Sequence, residues 1–187
     1  TASPCWICFK MIANAGISKG TAVENFNIEH IENVYNINVL GMIYAIGAVL
    51  PDMLRRRSGH IVGVSSVASF RSFAIKAAYC GSKAAQRVHL EGLRAELMPH
   101  GIHVTTVCPG FVKSEMTAHI RSPMPFLLEM DQAIRIIMRG IDSRKRLLIF
   151  PWQMAVFVRF LNLIPPFIYD RVASRQKIYG RPSAAEL

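Results

Sequence analysis

A serine, a tyrosine and a lysine in this chain stand at spacings that suit acid–base chemistry on a carbonyl or alcohol oxygen. Ser66 precedes Tyr79 by thirteen residues, and Lys83 follows Tyr79 by four. At i and i+4 on a helix, Tyr79 and Lys83 share one face with Cβ atoms about 6 Å apart. A free phenol titrates near about 10 and is a poor base at neutral pH. An ammonium about 4 Å away favours the phenolate by up to about 4 kcal/mol at an effective dielectric of about 20, or roughly three pKa units. The spacing therefore predicts a Tyr79 tuned downward by Lys83, able to exchange a proton with a substrate oxygen near neutral pH. Lysine suits this better than arginine, because its compact ammonium also reaches a sugar hydroxyl.

Ser66 falls at the end of an apolar run, His60 to Ser66 (HIVGVSS), that reads as a strand. The carboxyl edge of an open α/β sheet is where ligands bind, so its hydroxyl can hold a carbonyl in line with the Tyr79 phenol. Ser65 is the rival. Alternation sends the two side chains to opposite faces, so only one can serve, and the thirteen-residue spacing favours Ser66. Asn38 lies inside a helical stretch where asparagine is uncomfortable. A functional reading gives it a water that extends the proton path from Lys83. A tyrosine–lysine pair alone is weak, since packed aromatics beside solvated lysines are common on helices. The ordered set of Asn14-Ala15-Gly16, Asn38, Ser66, Tyr79, Lys83 and Pro109-Gly110, each at an element boundary or on a helix face, is specific.

The elements that must position these residues alternate. Met11 to Ala13 reads as a buried strand ending in a turn, and Gly20 to Asn27 as a loop. Asn27 is a good N-cap, with Glu29 in the first turn of a helix running to Arg57 and stopped by Ser58-Gly59. On it Ile31, Val34, Tyr35 and Asn38 recur on one face, followed by Met42, Ile46, Val49 and Leu50. After the His60–Ser66 strand come a helix over Ala77–Met98, ended by Pro99-His100-Gly101, and a β-branched strand over Ile102–Cys108. An irregular segment over 111–128, a helix over Glu129–Gly140 and a last strand, Leu147–Phe150, complete the order. The succession β-α-β-α-β-α-β implies a parallel sheet with helices on both faces.

Composition narrows the partners. With 187 residues, 51% of them hydrophobic and 18% charged, one globular domain is expected. The net charge of +10 suits an anionic partner. Its arginines and lysines form short runs, Arg55-Arg56-Arg57 and Arg144-Lys145-Arg146, without interleaved aromatics, which argues against nucleic acid. Cys5-Trp6-Ile7-Cys8 is a CxxC, but no second pair stands at metal-ligand spacing, so no metal site is expected. Neither a disulfide framework nor a cleavable signal peptide is visible, which reads as a reduced, cytoplasmic protein.

The quoted residues resemble the short-chain dehydrogenase/reductase family over 11–150. The matching motifs are NAG at 14–16, NINVLG at 36–41, GHIVGVSS at 59–66, YCGSK at 79–83 and PGFVKSEM at 109–116. The resemblance implies a Rossmann-like, doubly wound parallel sheet, NAD or NADP as hydride carrier, and alcohol–carbonyl interconversion. By position Asn38, Ser66, Tyr79 and Lys83 take the catalytic roles, and Lys83 also binds the nicotinamide ribose. Pro109, Gly110 and Val112 line the nicotinamide pocket, Ser114 contacts the carboxamide, and Asn14, Ala15 and Gly16 border the adenosine side. The helices over 31–55 and 79–98 are the implied homodimer faces, and 111–130 the implied substrate lid. No glycine-rich phosphate loop occurs among the 187 residues. The chain thus reads as lacking the family's first β-α-β-α-β portion, roughly 60–90 residues at about 30 per βαβ unit, with residues 1–10 unmatched. The choice between NAD and NADP is unreadable, and cofactor binding by this stretch alone is expected to be weak.

The segment 147–169 is nearly all apolar and leads into Arg171, Arg175, Lys177 and Arg181. Within 151–187 three readings compete: a helix packed on a substrate pocket or partner subunit, a helix lying on a membrane surface, and a span. Pro151, Gln153, Arg159, Asn162 and Pro165-Pro166 argue against the span. A roof of this kind favours a small apolar alcohol or carbonyl. Beside the oxidoreductase stand two other readings: a cofactor-free remnant that pairs with a longer relative, and a membrane-surface binding module.

Overall fold

The computed structural model describes residues 10–20, 22–118, 120 and 123–174; the CxxC at 5–8, the rest of the lead over 1–9 and the tail over 175–187 lie outside them. Four strands, β1 (Lys10–Ala13), β2 (Gly59–Val64), β3 (Ile102–Pro109) and β4 (Leu147–Phe150), form one parallel sheet in that order. β2 and β3 carry the apolar or β-branched character of covered parallel strands, whereas β1, expected to be buried, is an edge strand with Ile12 48% exposed. Alternation divides the core. Ile61 and Val104 pack with Met42, Ile46, Met53, Leu90 and Leu97 on one face. Val62, Val107, Leu148 and Phe150 pack with Ala133 and Ile141 on the other. Helices therefore cover both faces, and the fold is a Rossmann-like α/β sheet.

The connection from β1 to β2 is a continuous helical stretch: α1 (Ile28–Tyr35), a π-helical turn (Asn36–Leu40) and α2 (Gly41–Arg56). Asn27 caps it, accepting the His30 N–H at 2.9 Å. The helix ends one residue before the expected stop. Arg57 takes the left-handed conformation at φ 53°, while the Arg57 and Ser58 amides bond Leu54 and Met53 carbonyls, which is a Schellman closure. Gly59 instead opens β2, where an added Cβ would lie 2.5 Å from Met53 Sδ. Next come α3 (Ala77–Leu97) and a 3-10 turn over Met98–His100. Gly101 closes it at φ +70°, with an added Cβ only 2.6 Å from the Arg57 carbonyl oxygen.

Beyond β3 the chain departs from the expected irregular segment by forming a short helix, α4 (Glu115–Ala118), before α5 (Met130–Asp142). After β4 the apolar segment is two helices, α6 (Trp152–Leu163) and α7 (Pro166–Ala173), rather than one. Pro165 cannot continue α6, whereas Pro166 suits a first helical position. One helical stretch, Ile28–Arg56, has the length and hydropathy to cross a membrane. It also supplies Val34, Asn38, Met42, Ile46 and Met53 to the interior.

At the amino-terminal edge of the sheet His60 is 6% exposed and shares a 2.8 Å hydrogen bond with Thr105 Oγ1. Burial first, then the positive charge of Lys10, His103 and Arg144, pushes its pKa down to about 4. The unfolded chain binds this proton below about 6.5. Stability is therefore full above that value and is lost as pH falls from there to about 4, by on the order of 3 kcal/mol. Urea unfolding at pH 7 and pH 4.5 should show the loss, and His60→Gln should remove most of it. Equal pH slopes in the two proteins would refute the assignment. Gly101→Ala should cost about 1–3 kcal/mol in the same assay, since both the conformation and the space oppose a methyl group.

Candidate active site

The carboxyl ends of β1, β2 and β3 carry the Asn14–Gly16 turn, Ser66 and Gly110. The π turn places Asn38 on the buried face with Val34 and Met42. Asn38 has no exposed surface, and a buried amide must be paired. Its Nδ2 donates to the Ile17 carbonyl at 3.0 Å and to Ser82 Oγ at 2.9 Å, and its Oδ1 accepts the Ile17 N–H at 2.8 Å. Its backbone carbonyl accepts from Gln86 Nε2 at 2.5 Å. Both side-chain donors are spent, so of the side-chain atoms Oδ1 alone keeps a lone pair for a water.

Lys83 is 4% exposed. Its Nζ donates to the Val64 carbonyl at 3.0 Å. β1 pairs with β2 only as far as Gly63, which leaves that carbonyl available at the sheet edge. Gly16 sits directly over this pair: a Cβ there would lie 3.1 Å from Lys83 Nζ and 3.2 Å from Asn38 Oδ1. The turn thus reaches Asn38 and Lys83 themselves, while Asn14 and Ala15 face solvent. With three donors and one protein acceptor named, Lys83 Nζ retains hydrogen-bonding capacity that fits a sugar diol. The residues present therefore fit the nicotinamide-ribose half of a dinucleotide.

The two serines diverge. Both lie just past the end of β2, so strand alternation does not decide between them. Ser65 is buried and donates to the Lys83 carbonyl at 2.8 Å, tying β2 to α3. Ser66 caps the 3-10 turn over Val67–Ser69 by accepting the Ala68 N–H at 3.1 Å. Its hydroxyl also lies close enough to Tyr79 to oppose the rise of the phenol's pKa.

The electrostatics differ from the expectation of a phenol depressed by its lysine. Lys83 Nζ lies 5.9 Å from the centroid of the Tyr79 ring, turned toward Val64. Burial raises the Tyr79 pKa, and the Ser66 hydroxyl opposes it. Burial also pushes Lys83 down to about 8. The same desolvation acts on both, and it favours a neutral phenol beside a lysine that itself titrates near physiological pH.

Pro109 closes β3 against Phe150, and the Gly110 amide bonds the Phe150 carbonyl at 2.7 Å. Val112 pairs with Leu128. The Ser114 amide donates to Thr117 Oγ1 at 2.9 Å, and that hydroxyl donates to the Val112 carbonyl at 2.7 Å. These contacts hold 109–117 as a compact arm at the same edge, tied to Leu128 by a parallel bridge. Cys80 and Cys108 are free and buried, and no group of metal-ligating side chains occurs among the described residues.

Ser82, Gln86, Ile17 and Lys76 were not singled out by spacing. Ser82 is fully buried, accepts from Asn38 and donates to the Tyr79 carbonyl at 2.8 Å. Gln86 stands seven residues after Tyr79, where a helix returns to the same face. Lys76 donates to Ser18 Oγ at 3.1 Å, joining the loop before α3 to the loop after β1. A buried asparagine requires partners, and that requirement was the available signal for the first two.

The family model for short chain dehydrogenase matches residues 10–125. An uncharacterized oxidoreductase of Myxococcus xanthus is 41% identical over 165 residues, covering 88% of this chain and 65% of that protein. Human 17-beta-hydroxysteroid dehydrogenase 13 is 30% identical over 158 residues, covering 83% of this chain and 53% of that protein. The chain thus spans less than two thirds of the length of these relatives. A short-chain dehydrogenase from Sphingobium yanoikuyae, solved in complex with NADPH, superposes with a TM-score of 0.73 at 25% identity, covering 93% of this chain and 68% of that one. On its sequence, its sheet and these matches, the chain belongs to the short-chain dehydrogenase family.

Proposed function

We propose that the whole protein interconverts an alcohol and a carbonyl with NAD or NADP, using Tyr79 as the proton-exchanging group. One observation carries the reading: Ser66, Tyr79 and Lys83 gathered at the carboxyl edge of the sheet, with the buried Lys83 Nζ held by the Val64 carbonyl 5.9 Å from the centroid of the Tyr79 ring. When bound, the nicotinamide gives or accepts the hydride. The neutral Tyr79 phenol suits donation of a proton to a developing alkoxide. Ser66 holds the same oxygen in line with it. Lys83, brought to about 8 by burial, can return the proton, and the clamped Asn38 fixes the far end of that path. Lys83 and Tyr79 would hold the nicotinamide ribose; Pro109, Gly110, Val112 and Ser114 would flank the ring, with Asn14, Ala15 and Gly16 toward the adenosine side. NADPH in the Sphingobium relative supports a nicotinamide carrier and leaves the choice between the two open.

The substrate is an apolar one in this reading. Val67, Phe70, Phe111, Met154 and Val158 form an apolar wall beside the Ser66 turn. Free, buried Cys80 and Cys108 suit the reducing cytoplasm. Self-association through the long helices is supported by Tyr44 and Val88, which are more than half exposed there.

In the whole protein, with a hydrophobic secondary alcohol and NADP or NAD, Tyr79→Phe should lower kcat by about 10²–10⁴-fold and leave the thermal midpoint in place. Near-normal turnover would remove Tyr79 from the role. Ser82→Ala leaves one buried Asn38 donor unpaired, so it should cost about 1–3 kcal/mol of stability. It should also reduce kcat with KM unchanged. Unaltered kcat in a destabilised Ser82→Ala protein would make the Asn38 clamp purely architectural.

A further inference from the structure

The second apolar surface of α6 has no partner among the described residues. Met154 and Val158 bury one stripe of the helix against Val67, Phe70, Phe111 and Ile149. The opposite stripe, Trp152, Val156, Phe160 and Leu163, recurs at helical spacing and faces solvent. Trp152 is 71% exposed, Phe160 65% and Leu163 76%, and α7 adds Phe167 at 74%. At roughly 150–250 Å² per aromatic ring, the three rings alone present on the order of 400 Å², as much as the largest patch of a typical monomer.

Charge selects the occupant. Arg159 falls within the exposed stripe, and Arg171 lies beside Phe167 on α7. Asp170 is the single acidic residue of the two helices. None of these three enters an ion pair among the described residues. Arg71, stacked 4.1 Å over the Tyr169 ring, adds a third cation at the base of α7. The sequence continues with Arg175, Lys177 and Arg181. A second copy of this chain laid on the stripe would oppose arginine to arginine, whereas an anionic interface would neutralise them. At about 1.5 Å per residue α6 is roughly 18 Å long, and Pro165 breaks it from α7, so neither helix spans a hydrocarbon core of about 30 Å. Such helices lie in the plane of an interface, with Trp at the headgroup level and Arg reaching outward.

We infer that α6 and α7 dock the protein on an anionic lipid surface, the Trp152–Phe160–Leu163–Phe167 face embedded and Arg159 and Arg171 at the headgroups. The same helices border the loop after Ser66: Tyr169 donates to the Ser72 carbonyl, and an apolar cleft of about 260 Å³ lined by Phe73, Phe157, Ile168 and Val172 opens between them. The helices that dock therefore also border the loop that follows Ser66. The docking itself does not depend on the oxidoreductase reading, and its test needs no turnover.

The test is sedimentation of the protein with phosphatidylcholine vesicles, with and without phosphatidylserine, alongside the emission of Trp152 in a Trp6→Phe background. Binding should be at least about tenfold stronger to the anionic vesicles, weaken with salt, and shift Trp152 emission to the blue. Phe160→Glu combined with Leu163→Glu changes only exposed positions. It should abolish binding while circular dichroism stays unchanged. Equal binding to both vesicle types, binding that survives the double substitution, or no binding together with a dimer that the substitution dissociates would each overturn the proposal.

Discussion

The buried side chain of Asn38 is the constraint around which the site is assembled. It lies in the middle of a helical stretch, where every backbone group is ordinarily used and a dry amide is costly. Its four hydrogen bonds, three from the amide and one to the backbone carbonyl, reach Ile17 after β1 and Ser82 and Gln86 on α3. Three segments distant in sequence are thereby fixed relative to one another. Ser82 then passes the constraint to Tyr79 through its carbonyl. Ser65 does the same for Lys83, and Gly16 closes over Lys83 and Asn38 with little room to spare. Moving any member leaves another polar group unpaired in the interior.

The π turn is the means by which a helix accommodates this. Buried Val34, Asn38, Met42 and Ile46 recur every four residues. On an α-helix of 3.6 residues per turn, each such step drifts by about 40°. One wider turn cancels part of that drift and holds the four on one face. Within the same turn the Asn38 carbonyl is met by Gln86.

Much of this was legible in the sequence. The strand Leu147–Phe150 falls at its expected bounds, and the sheet, its parallel order and its two-sided cover follow from alternating apolar segments. The residues Ser66, Tyr79 and Lys83 come together because their spacing is tied to one strand end and one helix face. The repeat of four that required the π turn was visible too, although periodicity alone does not say whether a helix curves, drifts or widens. Illegible were features that depend on tertiary burial. Arg57 rather than Ser58-Gly59 ends the helix, because Gly59 is needed where β2 passes Met53. Lys83 turns toward a strand-end carbonyl instead of the phenol, because a cation 4% exposed takes the nearest oxygen.

That last choice bears on how such a site is energised. Coulomb attraction between Tyr79 and Lys83 was the force read from the i, i+4 spacing, and it presumes a charged lysine held close to the oxygen. Burial acts first and on both groups, disfavouring phenolate and ammonium alike. Compared with water, the phenol holds its proton more firmly and the lysine less firmly, although Lys83 at about 8 is still mostly an ammonium at neutral pH. Ser66 opposes the rise at Tyr79 without reversing it. In this arrangement the serine counters part of the burial effect on the tyrosine, and the apolar cluster of Val67, Phe70 and Met154 stands beside the turn that Ser66 caps. Water admitted beside Tyr79 and Lys83 would weaken the desolvation on which both shifts rest.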